Sequence, residues 1–239
     1  MTSYHLKDLI MDTPIKPAEF AEQKIISSIL GNQFPINSTL PPERDLAKLF
    51  GITRPTLREA LQRLSRDGWI EIHQGKSTRV KDFWKEGNLN VLSTLTDFQE
   101  YLPDDFVLLL LQIRLLLSPT YTYMAIENNS DEIINLLKLH PQSSDPAKVF
   151  SEFDFLLHIR LTQFSGNPVF TLILNGFHRL ILEKSDIYFV NQEAREYSVF
   201  FYQSLLQLAT EHNPEKAKQL STKVMTESIT FWKKTSNTL

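Results

Sequence analysis

Apolar residues recur at three- and four-residue intervals along most of this chain and alternate in only one short stretch. From residue 17, Phe20, Ile25 and Ile29 form an apolar stripe that stops at Gly31, which predicts a helix. The segment "NQFPINSTLP" is rich in turn formers and predicts a loop. "PPERDLAKLFG" predicts a short helix with Pro42 in its first turn and Gly51 as its stop. A second helix starts almost at once. Thr53 is placed to cap it, Pro55 sits in its first turn where a missing N–H costs little, and Leu57, Leu61 and Leu64 bury one side. "WIEIHQGKSTRV" then alternates around Gly75, the pattern of a two-stranded hairpin.

Beyond Val80 the composition changes. "KDFWKEGNLNVL" has the look of a connector, and the remaining signals are helical over 89–102, 104–128, 131–139, 146–165, 168–190, 192–212 and 214–234. No repeat of constant period is present. The expected fold is mainly α: a winged helix-turn-helix over 17–81, a linker and connecting helix over 82–102, and an all-α bundle of about seven helices over 103–239. Residues 1–16 lack periodicity and are expected to be a flexible N-terminus, with Met11 a possible second start.

Charge sharpens this division. The net charge is −3, but residues 40–81 hold nine Lys/Arg against five Asp/Glu, a local +4 that leaves −7 for the rest. A basic module joined to an acidic body suits a chain of which one part meets a polyanion. An isolated charge run usually marks a solvated helix face. Here a capped turn, a basic helix and a wing follow in the order of a winged helix-turn-helix, whose second helix enters the DNA major groove. Arg54, Arg58 and the Thr56 hydroxyl lie off the apolar stripe near that helix's N-terminal end. The planar arginine fork can donate twice to guanine. Gln74, Gly75 and Lys76 would carry the wing tip to the neighbouring backbone or minor groove.

With 42% hydrophobic and 22% charged residues, the chain is of ordinary globular composition. It has no cysteine, hence no disulfide or thiolate chemistry, no G-x-S-x-G, and no phosphate-cradling loop among its seven glycines. An enzyme, such as one processing acyl-CoA, is therefore not expected. The start of the chain lacks the features of a signal peptide, and the apolar run "FVLLLLQIRLLL", interrupted by Arg114, is too short for a bilayer. That run is expected to be a helix buried on nearly all sides, in a cytoplasmic protein without a membrane partner.

The helical half offers candidate ligand chemistry. Ser221, Met225, Ser228 and Trp232 fall at i, i+4, i+7 and i+11, a stripe that fits either cavity lining or ordinary core packing. Arg114 within apolar surroundings needs a partner, either a ligand group or a carboxylate such as Asp154. Asp154 and His158, at i and i+4, could share a divalent metal. Two ligands make a poor site, and the last two helices add only His212, so no metal site is expected.

"LPPERDLAKLFGITRPTLREALQRLSRDGWIEIHQGKSTRV" resembles the DNA-binding domain of the GntR family of bacterial transcription regulators. "FAEQKIISSIL", "DFW", "SGNPVFTLILNG", "YFVNQEAR" and "ESITFW" extend the likeness along nearly the whole chain, to the branch of that family that regulates fatty acid metabolism. The resemblance implies a homodimer on a palindromic operator, released by a long-chain acyl-CoA effector, with no other cofactor. It also implies repression of fatty acid degradation genes and activation of unsaturated fatty acid synthesis genes. By position it places DNA contacts at Arg44, Thr53, Arg54, Thr56, Arg58 and Gly75, and ligand contacts at Tyr188, Glu227, Ser228 and Trp232, with Met225, Arg114 and His158 beside them. Pro55, the His73–Gln74 wing tip and Met225 depart from the family pattern. Relatives outside that branch bind a metal-held small carboxylate, the alternative effector here.

Overall fold

A computed structural model describes residues 15–236 of the chain. The flexible start expected over 1–16 and the possible start at Met11 fall almost wholly on residues 1–14, outside the described residues. The chain divides into two compact units that meet between Thr94 and Leu95.

The first unit opens with α1 (Pro17–Leu30), followed by α2 (Glu43–Phe50) and α3 (Arg54–Asp67). Their boundaries follow from local chemistry. Pro stands in the first turn of α1, where its φ is already helical. Gly51 and Gly68 end α2 and α3 at φ +65° and +98°, a left-handed conformation in which a Cβ would be strained. Leu57, Leu61 and Leu64 of α3 are buried, with Ile25 of α1 and Leu46 of α2.

The wing is smaller than its alternation suggests. Strands β1 (Ile70–Glu71) and β2 (Arg79–Val80) pair antiparallel with Ile70 opposite Val80. Between them the chain forms an open loop around Gly75, at φ +72°. The segment expected to be a plain loop supplies a third edge: Thr39 bridges to Arg79, and Val80 N–H donates to Ser38 O at 2.8 Å. Two short helices, α4 (Phe83–Glu86) and α5 (Leu89–Leu95), lie in the expected connector.

The second unit is all helical among the described residues: a 3-10 turn at Gln99–Tyr101, then α6 (Phe106–Leu137), α7 (Ala147–Phe164), α8 (Pro168–Asn175), α9 (His178–Tyr188), α10 (Gln192–Thr210) and α11 (Pro214–Ser236). α6 runs along α11 and also packs on α7 and α10. Ile126, Phe150, Leu157 and Tyr202 stand at the centre of the buried cluster.

Three details depart from the expected bundle. The two helices expected over 104–128 and 131–139 are one helix kinked at Asn129 (φ −150°, ψ 52°). Asn128 and Asn129 turn their amides to the Ser165 and Phe164 carbonyls at the end of α7, at 2.9 and 3.1 Å, which satisfies the kink. The single helix expected over 168–190 breaks between Asn175 and His178, giving α8 and α9. The start of α6 is not buried on nearly all sides either: Leu109, Ile113 and Leu116 are exposed, because that segment walls a cavity on one face and meets solvent on the other. By length and composition alone α6 would suffice to cross a membrane. It carries Arg114 in a side-chain ion pair with α7.

Candidate nucleic-acid interface and ligand chamber

In the first unit, Thr53 starts α3 by accepting the Thr56 N–H at 3.3 Å, and the two hydroxyls lie 2.8 Å apart. This fixes the first turn of α3, from which Arg54 and Arg58 project with side chains each 58% exposed. Glu43 of α2 accepts from Arg58 Nε at 2.8 Å and lies 3.9 Å from Arg54. Pro55, Gln74, Gly75 and Lys76 are exposed, and no atom would meet a Cβ on Gly75 within 4 Å. Arg44 is exposed and, among the described residues, pairs only with its neighbour Asp45 at 3.2 Å.

The basic residues of this unit are not equivalent. Arg63 is held by Glu22 and Glu59, and Arg66 by Asp67. Arg79 is a joint at the root of the wing: its guanidinium donates to Glu71 at 3.0 Å, Asn37 at 2.9 Å and Glu86 at 2.8 Å. The Arg79 hydrogen bond, helped by the Asp82 N–H, pulls the Glu86 carboxyl down to about 2. Counting charges along the sequence treated these arginines alike. What separates Arg63 and Arg79 from Arg54 and Arg58 is that two or more partners hold each of the former with a side chain 38% exposed or less, whereas Arg54 and Arg58 share one carboxylate and stay 58% exposed.

The second unit contains a cavity of about 130 Å³ open to the centres of water molecules, walled by α6 to α11. Leu110, Leu117, Phe170, Leu174, Phe177 and Ile181 give it an apolar lining. Arg114, His158, Tyr188, Met225, Ser228 and Trp232 all reach its wall. Glu227 does not: it is exposed on the outer side of α11. Ser221 is also apart from the cavity, buried with its hydroxyl 3.0 Å from that of Ser118 on α6. The helical stripe thus serves both roles, cavity wall and core. Ser228 is satisfied locally by the Met225 carbonyl at 2.8 Å.

One polar cluster interrupts the apolar wall. Arg114 Nη2 donates to Asp154 Oδ2 at 2.8 Å and to His158 Nε2 at 2.5 Å. A guanidinium has no acceptor, so His158 Nε2 accepts and the ring proton sits on Nδ1. That proton faces the Tyr121 hydroxyl at 2.7 Å. Tyr202 donates to Asp154 Oδ1 at 3.1 Å. Burial is the largest influence on the Asp154 carboxyl and pushes it up, but Arg114, His158 and the Tyr202 hydrogen bond together outweigh it and the net direction is down. Burial, reinforced by Arg114, pushes the His158 imidazole down to about 3. Burial raises the Tyr121 hydroxyl to about 12. Arg114 therefore has its partner in Asp154. Its guanidinium also fills the space that a cation shared by Asp154 and His158 would need. Tyr121 was missed from spacing, although it stands seven residues after Arg114 on the same face of α6.

The histidine sets a pH dependence. His158 binds its proton more weakly folded (about 3) than unfolded (6.5), so the unfolded state takes up protons first as pH falls. Stability should therefore drop below about pH 6.5, by about 1.4 kcal/mol per pH unit from this group. Urea unfolding between pH 7.5 and 4.5 should show His158→Gln losing about one proton's worth of that slope. An unchanged slope would mean that His158 protonates inside the folded chain.

A winged helix-turn-helix in the same chain as a helical chamber is the architecture of a DNA-binding transcription regulator. The chain belongs to the GntR family of bacterial regulatory proteins, whose family model matches residues 17–80, and residues 81–239 match the FadR C-terminal domain. It is 46% identical over 200 residues to the fatty acid metabolism regulator protein of Shewanella oneidensis, covering 82% of each chain. It is 44% identical over the same length to the corresponding protein of Shewanella denitrificans, again covering 82% of each. Among solved structures, Lar, which controls expression of the Listeria monocytogenes agr system, has the same fold at 15% identity and a TM-score of 0.52, over 91% of this chain and 96% of that one.

Proposed function

We propose that this chain regulates fatty acid metabolism as an acyl-CoA-responsive homodimer. It would bind a palindromic operator through Arg44, Thr53, Arg54, Thr56, Arg58 and the Gln74–Lys76 wing tip, and leave it when long-chain acyl-CoA enters the helical chamber. In that role it represses fatty acid degradation genes and activates unsaturated fatty acid synthesis genes in the cytoplasm. The observation that carries the reading is the chamber itself, a largely apolar lumen with a few polar groups in its wall, the Arg114–Asp154–His158 cluster among them. A hydrocarbon chain suits such a lining, and the few polar groups would orient the ligand's polar end. A metal-held carboxylate finds no comparable place, because the Arg114 guanidinium stands between Asp154 and His158.

Control would work as a population shift. Acyl-CoA weakens DNA binding only as far as it binds the DNA-competent and DNA-incompetent states differently. The coupling is also reciprocal: saturating operator should weaken acyl-CoA binding by the same factor. Fluorescence anisotropy of an operator duplex at fixed salt provides the test. Oleoyl-CoA is expected to release the duplex where CoA and free oleate do not. Tight operator binding that no acyl-CoA disturbs would leave the DNA reader and remove the proposed effector.

A further inference from the structure

The reading face of the first unit carries an acid that its electrostatics do not ask for. Glu43, the first residue of α2, points its carboxylate between Arg54 and Arg58 of α3. An anion here repels the phosphates that supply most non-specific affinity. A place at the start of a helix, where an acid favours the dipole, explains a glutamate at this position. It does not explain why the carboxylate reaches across to α3. The geometry of the contact is specific. Glu43 Oε2 takes the Nε–H of Arg58 at 2.8 Å. Among the described residues, Nη1 and Nη2 of Arg58 have no hydrogen-bond partner, so that pair of donors stays available. A guanine edge offers O6 and N7 to just such a pair.

We propose that Glu43 is a positioning residue for sequence readout: by holding Arg58 through Nε, and Arg54 by proximity, it presents their free N–H groups to guanine edges rather than to phosphates. The device costs non-specific affinity and gains discrimination. Any charge-assisted bond that freezes a long, flexible arginine lowers the conformational freedom left to lose when the base is met. The proposal rests on the reading head assigned above, and makes no use of the effector chamber.

The test uses the full chain and an operator duplex enriched by this protein from random-sequence DNA. A panel of duplexes carries one G·C pair replaced at a time, and an unrelated duplex of equal length measures non-specific binding. Glu43→Gln keeps the side chain's shape and removes its charge. It is expected to lose about tenfold discrimination at one or two G·C positions per half-site. Non-specific binding should hold or rise, with a salt slope steeper by about one as the released arginine turns to a phosphate. Glu43→Asp keeps the acid at the start of α2 but draws it back by one methylene, and is expected to lose discrimination at the same positions. Equal changes in operator and non-specific affinity would overturn the proposal, since a helix-end role moves both together. Full discrimination in Glu43→Asp would overturn it as well. A wild-type chain without sequence selectivity would instead overturn the reading head itself.

Discussion

Arg54→Ala is expected to remove sequence-selective operator binding while leaving the chain folded. Arg54 projects from the first turn of α3, opposite the buried Leu57, Leu61 and Leu64, so its loss touches neither the core nor the Thr53 cap. A bidentate arginine–guanine contact is worth about 1–3 kcal/mol of discrimination, and a homodimer loses two of them. The operator affinity should therefore fall by about 2–6 kcal/mol, roughly 30-fold to twenty-thousand-fold. Non-specific affinity should fall far less, by about the share of a single lost charge per head. Lys76→Ala at the wing tip makes the useful contrast, since a phosphate contact there weakens all sequences alike. Anisotropy titrations of operator and unrelated duplexes over a salt series separate the two patterns. Operator binding by Arg54→Ala at the wild-type level would place the recognition surface elsewhere.

The reading head was legible because its signals are local. The Thr53 cap, the left-handed glycines at 51 and 68, and the leucine spacing each act within one or two turns, and the structure keeps all of them. What escaped was written across distance. The strand edge at Thr39 exists only because Arg79 and Val80 come to meet it, forty residues on. The kink at Asn129 resembled a helix end, since "NNSD" is a stop signal by composition; tertiary hydrogen bonds to α7 carry the helix through. The break before α9 went unread for the opposite reason, as apolar periodicity runs straight across it.

The site shows the same division. Asp154 and His158 could be paired from their i, i+4 spacing, and Arg114 was seen to need a partner. Which partner it takes depends on how α6 meets α7, and spacing on either helix alone is silent about that. Glu43 is a sharper case. Within its own helix it is an ordinary first-turn acid, and only the turn between α2 and α3 sets it against Arg58.

The Arg114–Asp154 pair yields the largest expected stability effect. Asp154→Ala leaves a guanidinium without its carboxylate, facing a largely apolar chamber with the neutral His158 ring and Tyr121 hydroxyl beside it, and removes the carboxylate to which Tyr202 donates. Removing one partner of a buried ion pair typically costs about 3–5 kcal/mol, because the remaining charge is desolvated without compensation. Arg114 keeps a quarter of its side-chain exposure, which places the expectation at the lower end, about 3 kcal/mol. Urea unfolding at pH 7.5 measures it. Arg114→Met combined with Asp154→Leu should recover most of the loss, since apolar groups of similar size remove both desolvation costs at once. The pH dependence has a definite sign. Asp154 has its carboxyl below the ordinary 3.8, so its contribution is present above that value and is lost as pH falls further. That window opens only below 3.8, whereas the loss set by His158 begins near 6.5, so the two variants differ most clearly between those values. A cost under about 1 kcal/mol for Asp154→Ala would show that water in the chamber solvates Arg114. The guanidinium would then be held less firmly by Asp154 and be freer to turn toward the polar end of a ligand.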